Sequence, residues 1–170
     1  MQIGDILDLN AHNGEGRGYF RNCVEYVYKD KPEPDEERVD TMGYGVCDSN
    51  VDYTYEQMIA MKKYYGKIGD NPVMHFMVAF DKKTVHDEAT ARKYTDDIAA
   101  FFKDHQTIAA LHKENQGNSL YHAHYMVNSV NAKDGKLYHS GRSELKQLAM
   151  HVHGVTGNYC RGYMKKPDEK

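Results

Sequence analysis

The chain has 170 residues, of which 40% are hydrophobic and 28% are charged, so it can bury the core of one domain but is too short for a second catalytic module. The net charge of -3 argues against an indiscriminate nucleic-acid binder, because such domains usually carry a basic excess. No apolar run reaches the roughly 20 residues that span a bilayer, and the N-terminus lacks the pattern of a secretion signal. We therefore expect one cytoplasmic domain over residues 1–170, with no membrane partner.

The first part of the chain predicts two helices separated by a charged segment. Apolar and aromatic residues recur with helical spacing between Phe20 and Val27, which indicates a short amphipathic helix that ends before Pro32. The acidic, proline-bearing segment 30–40 is expected to be an exposed, mobile loop. A second helix is predicted over residues 54–65.

The second part of the chain predicts most of a β-sheet. Helical periodicity indicates a long helix over 84–103 and a further helix over 143–152. Between and around these helices lie short runs rich in strand-forming residues, at 73–80, 106–113, 121–130 and 136–139. This order predicts an α+β domain with a central antiparallel β-sheet flanked by helices. The long helix should cover one face and leave the other free to carry a site.

Two histidines in the strand 121–130 are the most informative feature of the sequence. Side chains alternate along a strand, so His122 and His124 point to the same face. His112 belongs to the preceding predicted strand, and antiparallel pairing of the two strands would bring three imidazoles together. Three histidine ligands leave coordination positions open, as a catalytic metal ion requires.

The histidines also allow a simpler interpretation. The chain contains 10 histidines, so a pair spaced by two residues can arise without a metal site. Burying two unpartnered imidazoles would cost about 1 to 3 kcal/mol each, however, which favours a site that pairs them. Glu114 and Asn128 are the expected outer partners that accept the remaining ring protons. His151 and His153 fall in a predicted helix, where residues two apart do not share a face, and are set aside.

Taken together, several segments resemble the plasmid mobilisation relaxases, which are HUH endonucleases with a histidine-hydrophobic-histidine motif. The resemblance covers about residues 20 to 150, and the tyrosine segment precedes the histidines, as it does in that family. The matching segments are residues 22–31, 75–80, 111–112 and 122–131.

The resemblance implies a reaction and the residues that carry it. In that family a tyrosine attacks one DNA phosphodiester at a transfer origin and leaves a 5'-phosphotyrosyl link and a free 3'-hydroxyl. Tyr26 would be the nucleophile, with Tyr28 as its rival. His112, His122 and His124 would bind Mg²⁺ or Mn²⁺. The implied partners are single-stranded DNA at a transfer origin and accessory mobilisation proteins.

Basic residues suggest where a DNA strand would run. Lys62, Lys63, Lys82 and Arg142 are expected to contact its backbone, with exposed tyrosines as stacking platforms. Three other functions remain open at this point. The chain could be an HUH nickase of rolling-circle replication or transposition, although the tyrosine of those relatives usually follows the histidines. It could also be a truncated, non-catalytic DNA-binding regulator, or a small metal-stabilised protein with no nucleic-acid role.

Overall fold

The structure is a computed structural model that describes residues 6–14, 16–69, 73–115 and 120–165, with side chains from residue 18 onward. None of the helices in these ranges is long and apolar enough to cross a bilayer. The elements follow in this order along the chain: β1 Ile6–Gly14, α1 Gly16–Tyr26, β2 Glu36–Tyr44, α2 Val51–Tyr64, β3 Val73–Ala79, α3 Glu88–Ala99, β4 His105–Glu114, β5 Tyr121–Asn131, α4 Arg142–Thr156 and β6 Tyr159–Cys160.

The strands form a six-stranded sheet in the order β2-β4-β5-β3-β1-β6. All neighbouring strands are antiparallel except β6, which pairs parallel to β1. Strands β3, β4 and β5 lie at the predicted places, and most of their residues are buried on both faces, as expected for strands at the centre of a covered sheet. The predicted α+β class, with a central antiparallel sheet between helices, is confirmed.

The sheet differs from the prediction at four segments. Strands β1 and β6 are not among the predicted strands, and they extend the sheet beyond β3. The acidic segment 30–40 is a loop only as far as residue 35, because residues 36–40 begin strand β2 and pair with β4. Its charged side chains hid this strand from the sequence pattern, and such side chains are tolerated because β2 lies at the sheet edge. Residues 136–139 do not form a strand and make only one bridge, between Val130 and Leu137.

Two apolar clusters hold the helices against the sheet, one on each face. Phe76 and Tyr125 stack face to face, with ring centroids 4.4 Å apart, in the cluster beneath α3 and α4. Phe20, Met58 and Met126 belong to the cluster beneath α1 and α2. The expectation that one face would be left free is therefore wrong, since α1 and α2 cover part of it. His112, His122 and His124 lie on this partly covered face, which they share with Ala110 and Met126.

We predict that Gly135→Ala destabilises the protein more than Gly66→Ala. Both glycines have positive φ, 71° and 66° respectively, which costs an alanine roughly 1 to 2 kcal/mol. A Cβ at Gly135 would also lie 2.3 Å from Cδ1 of Tyr65, whose hydroxyl is tethered to the Ala132 carbonyl, whereas Gly66 faces open space. This overlap should cost about a further 1 to 3 kcal/mol in the free energy of unfolding, measured by urea denaturation. Equal losses for the two variants would contradict the packing described here.

Candidate metal centre

Three histidines come together at one end of the central strands. His112 of β4 stands directly opposite His122 of β5, and His124 follows on the same face two residues later. Their nearest ligand atoms all lie within 4.8 Å of one another. Nδ1 of His112 is 3.3 Å from Nε2 of His122. The convergence expected from antiparallel pairing is therefore present.

Burial keeps the imidazoles of His112 and His124 in the neutral form that binds metal. Burial, followed by the proximity of His122 and Arg38, lowers the pKa of His112 to about 3. Burial and the neighbouring histidines lower the pKa of His124 to about 2. Both rings are thus neutral near pH 7 and offer a lone pair, and neutral imidazole is a good ligand for divalent transition metals.

The donor set fits a divalent ion. The ring nitrogens that face one another, Nδ1 of His112 and Nε2 of His122, are 3.3 Å apart, which is the separation expected of two ligand atoms on one ion. His122 and His124 are 3% and 7% exposed, so the cluster is shielded from water but can still be reached. Three nitrogen donors favour Mn²⁺ over Mg²⁺, since Mg²⁺ prefers oxygen ligands.

Outer neighbours face the second ring nitrogen of two of the histidines. Nε2 of His75, on β3, is 3.1 Å from Nδ1 of His124. A carboxylate oxygen of Glu114, which the sequence predicted as an outer partner, is 3.8 Å from Nδ1 of His122. These contacts turn the Nδ1 atoms of His122 and His124 away from the centre of the cluster, and partners of this kind orient ligand histidines.

Asn128 does not act as an outer partner, contrary to the prediction. Its side-chain amide donates to the Met58 carbonyl at 3.0 Å and to Oε1 of Gln106 at 3.1 Å, both away from the histidines. Four residues separate it from His124, which is about 13 Å along a strand. Asn128 therefore ties α2 to the sheet and does not hold a ligand.

Glu36 is a site residue that the sequence analysis missed. Its Oε2 lies 3.2 Å from Nε2 of His122 and 3.5 Å from Nδ1 of His112. Burial raises its pKa, while nearby His122 acts in the opposite direction. The sequence pattern places Glu36 in the acidic loop. Its pairing with Glu114 in the β2–β4 register brings its carboxylate to the histidines. No local sequence signal distinguishes it from the neighbouring acids.

Tyr26 lies directly over the histidines. It is the last residue of α1, and its ring meets that of His124 edge-on with centroids 5.0 Å apart, and that of His112 at 5.8 Å. Its hydroxyl makes no hydrogen bond to a described residue. Burial, then the negative charges of Glu36 and Glu33, raises its pKa to about 12.

Tyr28, the rival tyrosine, has its hydroxyl engaged elsewhere. The hydroxyl is 2.7 Å from Oγ1 of Thr54 on α2, and that threonine in turn donates to the Cys47 carbonyl. Tyr28 therefore joins α1 to α2. Of the two tyrosines, Tyr26 has its ring against the histidines, and its hydroxyl has no hydrogen-bond partner among the described residues.

A set of hydrogen bonds fastens the chain just after Tyr26 to strand β2. Oγ1 of the buried Thr41 donates to the Val27 carbonyl at 2.6 Å. The backbone N–H of Arg38 donates to the Asp30 carbonyl at 2.8 Å, and its guanidinium donates to the Asp30 carboxylate at 2.6 Å. Because β2 also carries Glu36, the same strand positions the tyrosine and an acid of the site.

The basic residues expected to contact DNA fall into two groups. Lys62 is completely buried, and its ammonium group donates to Oγ of Ser129 at 3.0 Å, so the prediction that it contacts DNA is wrong. Lys63, Lys82 and Arg142 are exposed, although Arg142 begins α4, on the face opposite to the histidines. The sequence analysis missed Lys29, whose ammonium nitrogen lies 5.8 Å from the centroid of the Tyr26 ring.

Comparison with known proteins gives a family match and a shared fold. The family described as "Relaxase: MobA/VirD2-like, nuclease domain" matches residues 26–159. A solved structure from work on the molecular basis of vancomycin resistance transfer in Staphylococcus aureus is similar, with a TM-score of 0.58 and 8% sequence identity. That similarity covers 89% of this chain and 90% of the other. No curated protein matches the sequence.

The two tyrosines should differ in what they contribute to stability. We predict that Tyr28→Phe lowers the free energy of unfolding by about 1 kcal/mol, because it removes a partly buried hydrogen bond to Thr54. Tyr26→Phe should leave that free energy within roughly 0.5 kcal/mol of the wild type, since its hydroxyl bonds to no described residue. Chemical denaturation of both variants checks this, and a large loss in Tyr26→Phe would show that its hydroxyl has a structural role.

Proposed function

Because the chain belongs to the MobA/VirD2-like family of relaxase nuclease domains, we propose that it nicks and rejoins one strand of DNA at a transfer origin. The reaction would use a tyrosine nucleophile and a divalent metal ion and would serve the conjugative mobilisation of a plasmid or integrative element. Single-stranded DNA is the proposed substrate, and accessory mobilisation proteins are the proposed partners.

The observation that carries this proposal is the position of Tyr26 over the histidines. Its ring lies within 6 Å, centroid to centroid, of those of both His124 and His112, although about 90 residues separate them in sequence. A tyrosine whose hydroxyl has no described partner, placed beside three buried imidazoles, is the arrangement expected for a metal-assisted phosphotyrosyl transfer.

Tyr26 would act by attacking the scissile phosphorus. The bond from its phenolic oxygen to phosphorus forms, the phenolic proton leaves, and the bond from phosphorus to the 3' oxygen breaks. That oxygen takes up a proton and becomes a free 3'-hydroxyl, while the 5' side stays attached to the enzyme. The phosphotyrosyl link conserves the bond energy, so the reverse reaction rejoins the strand without a nucleotide cofactor.

His112, His122 and His124 are the residues proposed to hold the metal ion, with Mn²⁺ as the preferred ion on the basis of their nitrogen donors. When bound, a divalent ion would withdraw negative charge from the scissile phosphate. His75 and Glu114 would keep the rings of His124 and His122 in orientation from the outer side.

The DNA strand would reach the site past exposed cations. Lys29 beside the Tyr26 ring is the residue best placed to contact a phosphate next to the nick, and Lys63 and Lys82 are proposed to contact the backbone further away. Such contacts give sequence-independent affinity and compensate locally for the acidic net charge of the chain.

Capture of DNA on the protein tests the proposal. Wild-type protein is incubated with Mn²⁺ and labelled single-stranded DNA from the region flanking its own gene, and adducts that survive a denaturing gel are counted. We expect an adduct from the wild type and from Tyr28→Phe, and none from Tyr26→Phe or in excess chelator. Tyr28→Phe is the matched control, because it is the same substitution and removes a tyrosine hydroxyl two residues away.

Other results of the DNA-capture experiment would change the proposal. An adduct that persists in Tyr26→Phe and disappears in Tyr28→Phe would move the nucleophile two residues along. No adduct from wild-type protein that binds both Mn²⁺ and DNA would favour a non-catalytic DNA-binding regulator. Absence of binding to any single-stranded oligonucleotide at low salt would remove the nucleic-acid role altogether.

We predict that Lys29→Gln weakens binding of single-stranded DNA regardless of its sequence. Loss of one phosphate contact should reduce the slope of log K against log salt concentration by roughly 0.7. Lys93→Gln is the control, because Lys93 is an exposed lysine that pairs with Asp97 on α3, away from the histidines. Fluorescence anisotropy over a salt series measures both variants, and identical slopes would exclude a phosphate contact at Lys29.

A further inference from the structure

Glu36 lies where a fourth metal ligand would be expected. It begins β2 opposite Glu114, while Arg38, two residues on, pairs with His112 in the neighbouring strand. The strand that fastens the end of α1 thus also brings a carboxylate to the edge of the histidine cluster. Of the acids in the cluster, Glu36 is the one whose oxygen approaches two of the three histidines.

Three donor atoms form a nearly equilateral triangle. Oε2 of Glu36 is 3.2 Å from Nε2 of His122 and 3.5 Å from Nδ1 of His112, and the two nitrogens are 3.3 Å apart. Ligand atoms at about 2.1 Å from one ion are separated by about 3.0 Å in an octahedral set and about 3.4 Å in a tetrahedral set. The observed spacings match one triangular face of a coordination shell.

The two carboxylates face different ring nitrogens of His122. Oε2 of Glu114 faces Nδ1 of that ring at 3.8 Å, whereas Oε2 of Glu36 faces Nε2 at 3.2 Å. His124 shows the same division, with His75 against its Nδ1. Glu114 and His75 therefore occupy the outer side of the rings, and Glu36 occupies the side from which the ligand nitrogens point inward.

We propose that Glu36 binds the metal ion directly, so that the centre is a three-histidine, one-carboxylate site. This inference rests on the proposed function, which supplies the metal ion. An anionic oxygen would strengthen binding and favour Mn²⁺, which accepts mixed nitrogen and oxygen ligands. Four protein ligands leave two positions of an octahedral ion open for the substrate and water.

The competing explanation is that Glu36 only accepts a hydrogen bond from an imidazole N–H. Metal affinity alone does not distinguish a direct ligand from an outer hydrogen-bond partner. Loss of an outer partner can weaken metal binding 10- to 100-fold, which is similar to the effect of losing a ligand. Glu36→Gln does separate them, since the amide oxygen can still accept such a hydrogen bond but has lost the negative charge of a ligand. Glu37→Gln is the matched control, with the same change at the next, exposed residue of the strand.

The experiment combines calorimetric titration with Mn²⁺ and the visible spectrum of the Co²⁺-loaded protein. We expect Glu36→Gln to bind Mn²⁺ roughly 10- to 100-fold more weakly and to change the Co²⁺ d–d bands, with Glu37→Gln unchanged in both. A crystal structure of the Mn²⁺-loaded wild type should place a Glu36 oxygen about 2.2 Å from the ion. That structure keeps the test decisive if Glu36→Gln fails to fold.

The outcomes distinguish this inference from the proposed function. If the wild type binds metal and Glu36→Gln behaves like Glu37→Gln, the inference alone is overturned. A loss of affinity with unchanged Co²⁺ bands, or a Glu36 oxygen more than about 3 Å from the ion, assigns Glu36 to the outer shell and also overturns it. If the wild type binds neither ion, the metal dependence in the proposed function fails together with the inference.

Discussion

The pairing of β4 with β5 determines the geometry of everything at the candidate site. His112 stands opposite His122 in this register, and a slip of one residue would turn His122 and His124 toward α3 and α4. Packing on both faces of the sheet prevents such a slip. Tyr125 stacks on Phe76 beneath one face, and its neighbour Met126 packs beneath α1 and α2 on the other. The positions of the three histidines therefore depend on packing on both faces of the sheet.

Helix α1 supplies the second half of the site and is held from two directions. Its apolar side packs into the cluster around Phe20, and the residues that follow Tyr26 are fastened by Thr41 and Arg38 of β2 and by Thr54 of α2. A side chain at the end of a helix would otherwise be exposed to fraying. These bonds act on the neighbours of Tyr26, and its own hydroxyl has no hydrogen-bond partner among the residues that the structure describes.

The electrostatics of the site are local and differ from the balance of the whole chain. Buried imidazoles are flanked by the carboxylates of Glu36 and Glu114, so a cation among them would meet compensating negative charge. Lys29 lies on the other side, next to the Tyr26 ring. A net charge of -3 is compatible with phosphate binding at such a site because exposed charges act mainly over about one Debye length, roughly 10 Å.

The sequence by itself determined the α+β class, the central strands and the convergence of the histidines, because strand alternation and antiparallel pairing are local rules that His122 and His124 obey directly. It could not reveal strand β2, whose charged residues resemble a loop until they pair with β4, and so it missed Glu36. It also assigned Lys62 to the surface and Asn128 to the histidines. Only tertiary packing decided which lysine is buried, which tyrosine hydroxyl is hydrogen-bonded and which acid contacts the histidines. These features depend on contacts between residues that are far apart in the chain.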